Sequence, residues 1–293
     1  FDGALSGLGR MDHANFIQTA GRIISISATI ALLYAGLGIR AMLIGSVIAY
    51  VAKHVLFLVG IRRLAHIRLL RLANLDPSYA RRLVHFGSGV FGGSVISMLF
   101  NPFNKLMLTR YAGVATVPIY EIAFTGASHV RSLIGAALRP LMPEISRLSG
   151  LSSPQGTARI GHIHRRIMRL VCVLGVPLYA LLFALAPSLL RVWLGQRYVD
   201  ALPGAFRVML VGTFLSLLGV PAYYSLMGMG RIRHNFGAHV IQTGVSALMV
   251  VLGLLAGTLS VGVVVWASAI AMGAATLYLT IQNRRLLCDD GQL

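Results

Sequence analysis

The sequence contains the stretch Gly7-Leu8-Gly9-Arg10-Met11-Asp12-His13, which returns 221 positions later as Gly228-Met229-Gly230-Arg231-Ile232-Arg233-His234. The two copies share both glycines, the arginine and the histidine, and two long apolar stretches follow each copy. A repeat at a fixed offset indicates two copies of one structural unit. The sequence therefore predicts a chain that is built from two related halves.

The composition predicts that lipid surrounds most of the chain. Of the 293 residues 56% are hydrophobic and only 12% are charged, whereas a soluble domain has about 25% charged residues. The 26 Lys and Arg outnumber the 8 Asp and Glu, which gives a formal net charge of +18. In a soluble protein this excess would suggest nucleic acid, but here the basic residues fall between apolar stretches. We therefore expect anionic membrane lipids, and no nucleic acid, as partners.

Eight stretches are long and apolar enough for a membrane helix, which needs about 20 mostly apolar residues. They are residues 16–38, 41–61, 84–108, 114–138, 167–187, 206–227, 238–259 and 261–281. The predicted fold class is all-α, a polytopic membrane helical bundle. If the halves match, about four more helices precede residue 1, and the whole forms two lobes of six helices.

The repeat also predicts the domain organisation. Residues 1–61 would form the last two helices of the N-terminal lobe, and residues 84–283 the six-helix C-terminal lobe. The basic segment 62–83 would link the two lobes on the cytoplasmic side. Residues 284–293 would form a cytoplasmic tail.

The basic residues between the spans predict the orientation of the chain. One side has sixteen of them: Arg10, Arg62, Arg63, Arg68, Arg71, Arg81, Arg82, Arg139, Arg147, Arg159, Arg165, Arg166, Arg231, Arg233, Arg284 and Arg285. The other side has five: Arg40, Lys105, Arg110, Arg191 and Arg197. Because cytoplasmic loops of membrane proteins are enriched in Lys and Arg, both ends of this chain are expected in the cytoplasm.

Three cations lie well inside predicted spans, away from the span ends, where charged residues are costly and often functional. Arg22, Lys53 and Arg131 all fall in the predicted cytoplasmic half of the membrane. One interpretation is a cationic chamber for an anionic head group such as a pyrophosphate. The other is snorkelling, in which the long side chains reach the inner interface. The occurrence of cations in both halves favours the chamber, and neither interpretation is excluded.

Glu121 is the acidic residue that lies deep in a predicted span. It is a candidate for ion coupling, and a structural pair with Lys105 or Arg110 is the favoured alternative. For Tyr120, Tyr223 and Tyr224 we expect an interfacial aromatic belt in preference to a sugar path. The sequence shows no catalytic arrangement and no metal-ligand spacing, so an enzyme, a metal and a cofactor are not expected.

Four short motifs resemble those of a known family. They are Asn104-Lys105-Leu106-Met107-Leu108 followed by Gly113 and Tyr120, then Pro143-Glu144-Ile145-Ser146-Arg147-Leu148, then Val192-Trp193-Leu194-Gly195-Gln196-Arg197-Tyr198 with Ala201, and Gly228-Met229-Gly230-Arg231. Their order and spacing resemble helices five to twelve of the polysaccharide-biosynthesis flippases, the Wzx-type branch of the multidrug/oligosaccharidyl-lipid/polysaccharide exporter superfamily. Asn104 stands where that family commonly has Asp, which weakens the case for ion coupling at this position.

The resemblance implies two six-helix lobes around a central cavity in the bacterial plasma (inner) membrane. It also implies that the substrate is a polyprenyl-pyrophosphate-linked oligosaccharide for O-antigen, exopolysaccharide or capsule biosynthesis. By alternating access, this substrate would move from the cytoplasmic to the outer leaflet. Arg22, Lys53 and Arg131 would bind the pyrophosphate, and the polysaccharide polymerase machinery would be a further candidate partner.

Other functions remain open at this point. A cation-coupled multidrug exporter of the same superfamily would place acidic residues in its cavity, whereas the deep charges here are mainly basic. A flippase of the peptidoglycan lipid precursor also favours basic residues, and the sequence separates it poorly. A membrane enzyme such as a polysaccharide polymerase would need a large outward loop, and the longest one here, about 188–205, is too short.

Overall fold

The structure is a computed structural model that describes residues 11–65, 77–138, 141–149 and 154–289. The described residues form nine α-helices and no strand. The chain divides into two compact units, Phe1–Ala80 and Arg81–Leu293. The division falls within the segment 62–83 that was expected to join two lobes. Half of that segment, residues 66–76, lies outside the described residues.

The first unit contains a pair of antiparallel helices, α1 (Met11–Tyr34) and α2 (Arg40–Ala65). Ala14 and Ile17 at the start of α1 are buried in one cluster with Phe57 and Ile61 near the end of α2. Gly45 permits close packing farther along, because a Cβ atom there would collide with Thr29 Oγ1. Small residues at such contacts let membrane helices approach each other closely.

The other seven helices are α3 (Pro77–Met107), α4 (Val117–Ala137), α5 (Leu141–Ser149), α6 (Pro154–Leu194), α7 (Leu202–Gly228), α8 (Ile232–Leu255) and α9 (Val261–Asp289). They belong to the second unit, except for the first four residues of α3, which precede Arg81. A π-helical turn, Leu108–Ala112, and a 3-10 turn, Val114–Thr116, connect α3 to α4.

Helix α7 lies at the centre of the second unit, where it contacts α4, α5, α6, α8 and α9. Its small residues explain this position. A Cβ atom on Gly212 would lie 2.6 Å from Ala269 Cα, and one on Gly219 would lie 2.9 Å from Thr276 Oγ1. Helices α7 and α9 can therefore pack backbone against backbone, as small residues allow in membrane bundles.

The sequence repeat is also a structural repeat. Helices α1 and α8 each have 24 residues, and they begin 221 positions apart. Helices α2 and α9 begin at Arg40 and Val261, which are also 221 positions apart. Most of the first heptapeptide lies outside the described residues, whereas the second forms the connection between α7 and α8.

The turns after α1 and α8 share one hydrogen-bond pattern. Gly36, with φ +82°, and Gly257, with φ +67°, occupy the same position of the repeat. The Gly36 amide donates to Leu33 O (3.0 Å) and the Gly257 amide to Leu254 O (3.0 Å). The following amides, of Leu37 and Thr258, donate to Leu32 O (3.2 Å) and Gly253 O (2.9 Å). This pair of bonds defines the Schellman ending of a helix, which glycine favours.

The prediction of an all-α membrane bundle is confirmed. Six helical stretches among the described residues are long and apolar enough to cross a membrane by length and composition: Asp12–Tyr34, Arg40–Ile61, Arg159–Arg197, Leu202–Gly228, Ile232–Leu255 and Val261–Leu287. The predicted spans 84–108 and 114–138 coincide with α3 and α4, which are helical and fall outside this set. Both helices carry polar residues on the faces that line the cavity described below.

Two predicted boundaries differ from the structure. The predicted span 167–187 is part of a longer helix, α6, which begins at Pro154, and the basic segment before it also contains α5. The predicted tail 284–293 begins within α9, which continues to Asp289. In both places the helical pattern extends beyond the apolar residues, because basic side chains also have high helix propensity.

Candidate functional site

Arg22 of α1 and Lys53 of α2 line one pocket in the first unit. Its volume is about 300 Å³, and Gln18, Ser25, Ser46 and Tyr50 supply most of its other polar lining. Gly21 makes room for the aliphatic part of Lys53, since a Cβ atom there would lie 3.5 Å from three Lys53 carbons. Lys53 Nζ lies 5.7 Å from the centre of the Tyr50 ring, a distance at which a cation and an aromatic ring attract. Two cations from different helices thus face one polar pocket.

Arg131 of α4 lines a larger cavity in the second unit, with a volume of about 580 Å³. Side chains from α3, α4, α7, α8 and α9 form its wall. Most of its polar groups are hydroxyls, amides and aromatic rings, and the described residues that line it include no Asp or Glu. The volume lies within the range of about 300–1,000 Å³ that is usual for small-molecule sites.

Arg131 has no carboxylate partner among the described residues. Glu121 forms an ion pair with Lys105 (Oε2 to Nζ, 2.7 Å), and Glu144 forms one with Arg147 (Oε1 to Nη2, 2.9 Å). The structure gives Arg131 no hydrogen bond or ion pair to another described residue. A half-buried guanidinium with unused donors inside a polar cavity is suited to bind an anionic group.

Glu121, the candidate for ion coupling, lies in a local polar cluster. Its Oε2 faces Lys105 Nζ, and its Oε1 accepts a hydrogen bond from Thr125 Oγ1 (3.2 Å). The structure therefore provides the Lys105 partner that the structural interpretation requires. Its role in ion coupling stays a prediction.

The predicted aromatic belt does not describe these tyrosines well. Tyr120 is fully buried at 0% exposure, and Tyr223 and Tyr224 line the cavity of the second unit. The Tyr223 ring makes edge-on contacts with the rings of Tyr224 (centroids 5.7 Å apart) and His239 (6.0 Å). This corner of the cavity is therefore formed by aromatic rings.

Sequence reasoning missed a buried polar network around Asn104. Asn104 Nδ2 donates to Tyr120 Oη (3.0 Å) and Ser268 Oγ (3.1 Å), and Asn104 Oδ1 accepts from Ser246 Oγ (3.2 Å). These four residues join α3, α4, α8 and α9. A polar residue in an apolar span was the only available signal, because Ser246 and Ser268 are more than 140 positions away.

The described helices and the polar pockets among them define an α-helical, multi-pass membrane protein. A family model described as a polysaccharide biosynthesis protein matches residues 10–203. The chain belongs to this polysaccharide biosynthesis protein family. A search among curated proteins finds no match.

The fold is similar to two crystal structures of MATE. The match to the structure in the bent conformation has a TM-score of 0.77 and 15% sequence identity. It covers 99% of this chain and 65% of the MATE chain. The match to the structure in the straight conformation has the same TM-score and identity. It covers 100% of this chain and 66% of the MATE chain. The chain thus spans somewhat less than two thirds of those proteins. The family match confirms the resemblance to polysaccharide-biosynthesis proteins, and the likeness to the MATE structures shows a shared fold.

Proposed function

We propose that the protein moves a polyprenyl-pyrophosphate-linked oligosaccharide from the cytoplasmic to the outer leaflet of the bacterial plasma membrane. Its membership in the polysaccharide biosynthesis protein family supports the involvement of a glycan. The predicted orientation, with both ends of the chain in the cytoplasm, puts the three candidate cations on the side where such lipids are made.

The observation that carries the proposal is the environment of the Arg131 guanidinium. Its guanidinium lines a polar cavity that has no acidic lining residue among those described, while the carboxylate of Glu121, on the same helix, pairs with Lys105. A site for cationic drugs would need acidic groups to balance the charge of the ligand. A free cation in a polar cavity instead supports an anionic ligand.

Each cation has a role in the proposed mechanism. Arg22, Lys53 and Arg131 bind the pyrophosphate through charge-assisted hydrogen bonds, which are stronger than neutral ones. The glycan enters the polar cavity, and the polyprenyl tail stays in the bilayer. The protein then exposes its binding groups to one side of the membrane at a time, as transporters built from repeats do.

The test is complementation of a bacterial strain that lacks its own flippase, with the protein expressed from its complete coding sequence. Wild type should restore surface glycan. Arg22→Gln, Lys53→Gln and Arg131→Gln should each lower it by about tenfold, because each removes one charge-assisted contact. Lipid-linked precursor should accumulate on the cytoplasmic side in the same strains.

Arg191→Gln is the matched control. The Arg191 guanidinium lies 5.1 Å from the Tyr198 ring centroid, outside both pockets, so its loss should leave surface glycan unchanged. If all three test variants, at the same protein abundance in the membrane, give full surface glycan, these cations act only as interfacial anchors and do not bind substrate. Failure of wild type to complement would contradict the proposed function itself.

A further inference from the structure

The polar face of α1 has a counterpart on α8. With the offset of 221 positions, the α1 residues that line the first-unit pocket correspond to α8 residues in the following pairs: Gln18 and His239, Gly21 and Gln242, Arg22 and Thr243, Ser25 and Ser246. Of the α8 residues, His239 and Gln242 line the second-unit cavity. The two copies of the repeat therefore present equivalent helix faces to two different pockets.

The two faces differ in charge. Arg22 corresponds to Thr243, and Lys53 corresponds to Ala274 of α9. Thr243 uses its hydroxyl within the fold, where it donates to Ile96 O (3.2 Å). The second copy has thus lost both cations of the first copy and has kept a polar face with an amide and an imidazole. A face of this kind is suited to a neutral, hydroxyl-rich ligand better than to a phosphate.

The α3 wall of the same cavity offers hydrogen-bond acceptors. The side-chain oxygen of Asn101 is buried and has no hydrogen-bond partner among the described residues. Pro102 has no N–H group, so the carbonyl of Met98 lacks its usual helical donor one turn later. Met98, Asn101 and Pro102 all line the cavity. An unused buried acceptor such as the Asn101 oxygen is costly, and a ligand with hydroxyl donors would satisfy it.

The aromatic corner adds an apolar surface to these polar groups. Tyr223 contacts both Tyr224 and His239 edge-on, so the three rings form one cluster at the cavity wall. The hydrogen bond from Asn235 Nδ2 to Tyr223 O (3.1 Å) holds α8 against α7 beside it. Rings next to amides and free acceptors match a sugar, which has apolar C–H faces and hydroxyl edges.

We infer that the second-unit cavity is a carbohydrate site that binds a short segment of the glycan through Asn101, Tyr223, Tyr224, His239 and Gln242. This inference rests on the proposed function and assigns the sugar part of the substrate to one copy of the repeat. The equivalent face of the other copy, with Arg22 and Lys53, binds phosphate, as does Arg131 on the α4 wall of the sugar cavity. A cavity of about 580 Å³ holds an oligosaccharide fragment and not a polymer.

The experiment measures binding of a free oligosaccharide by saturation-transfer NMR. The probe is the repeat-unit oligosaccharide released by mild acid from the polyprenyl lipids of the source strain, so it carries neither lipid nor phosphate. The protein is expressed from its complete coding sequence and purified in detergent. Asn101→Leu, Tyr224→Leu and Gln242→Leu should each raise the Kd for the sugar by about three- to tenfold, the effect of losing one neutral contact.

Tyr111→Leu is the control, because Tyr111 is half-exposed in the turn after α3 and lies outside the cavity. It should bind the sugar as wild type does, and all variants should unfold at temperatures close to that of wild type. Absence of sugar binding by wild type, or equal binding by the three cavity variants, would overturn the inference. If wild type does not bind the free sugar but complements the flippase-deficient strain, only the carbohydrate site is contradicted. If wild type binds the sugar but does not complement, only the proposed function is contradicted.

Discussion

At the scale of the residue, Asn104 is the centre of a buried polar network in the second unit. It is 0% exposed, and its amide forms hydrogen bonds with three side chains from three other helices. Asn104→Leu should therefore destabilise the protein by about 2 kcal/mol, since it leaves buried hydroxyls without partners. Thermal unfolding of the purified protein in detergent measures the change.

Asn101→Leu is the matched control for this substitution. Asn101 lies about one turn earlier on α3, and its side-chain oxygen has no partner among the described residues. Its replacement should cost much less stability than that of Asn104. Equal losses for the two variants would mean that the network around Asn104 does not stabilise the fold.

The ion pair between Lys105 and Glu121 gives a second prediction at this scale. Lys105→Met and Glu121→Gln should each lower the unfolding temperature, because each leaves one charge without its partner. The double variant should recover part of the loss, with a coupling of up to about 1 kcal/mol, because the pair is partly exposed.

Transport by the double variant distinguishes the two roles of Glu121. A stable double variant that still transports supports the structural role. A double variant that folds as well as wild type and no longer transports would show that the carboxylate couples ions.

The sequence alone identified the candidate cations, because a charge in an apolar span is conspicuous. It could not show that Arg22 and Lys53 share a pocket, or that Arg131 faces a cavity whose described lining residues include no Asp or Glu. Those facts depend on helix rotation, which apolar periodicity does not determine when a helix is hydrophobic on all sides. The network around Asn104 escaped prediction for the same reason.

At the scale of the element, the two repeated helix pairs should respond alike to the same change. Gly36→Ala and Gly257→Ala should each destabilise the protein by about 1–2 kcal/mol. Both residues have positive φ at the end of a helix, where an L side chain is strained although the space around it is open. Unfolding temperatures of the two variants provide the measurement.

Gly244→Ala is the control for the turn glycines. Gly244 lies inside α8, and an added Cβ atom would meet nothing within 4 Å. Alanine has the higher helix propensity, so this variant should be as stable as wild type or more stable. A loss at only one of the two turns would contradict the structural equivalence of the repeats.

The packing of α7 against α9 gives a prediction about a helix interface. Gly212→Ala would bring a Cβ atom to 2.6 Å from Ala269 Cα, so the two helices must separate. We expect a loss of about 1–3 kcal/mol, the usual cost of overpacking a core. Gly204→Ala, on the same helix with open space around it, should have little effect; equal behaviour of the two variants in thermal unfolding would refute this close contact.

Apolar length predicted the existence and order of eight long helices, and six of them contain stretches long and apolar enough to cross a membrane. Boundaries were less well predicted. Helices α5, α6 and α9 include basic residues that the apolar pattern assigned to loops or to a tail. Helices can continue beyond their apolar stretch, and hydropathy does not record where they end.

At the scale of the whole molecule, the distribution of basic residues predicts the orientation in the membrane. In a Cys172→Ser, Cys288→Ser background, Arg147→Cys should react with a membrane-impermeant thiol reagent only after the membrane is opened. Gln196→Cys, in the turn after α6, should react in intact spheroplasts. The reverse pattern of labelling would invert the proposed topology and place the cations on the other side.

The most direct test of the proposed function is transport by purified protein in liposomes. The protein, expressed from its complete coding sequence, would be reconstituted with a radiolabelled polyprenyl-pyrophosphate-linked oligosaccharide in the inner leaflet, and a sugar-modifying enzyme outside would detect molecules that reach the outer leaflet. Wild type should expose the labelled lipid much faster than Arg131→Gln or protein-free liposomes. Equal rates in all three preparations, together with accumulation of an organic cation such as ethidium by wild type alone, would contradict the assignment of an anionic glycolipid substrate.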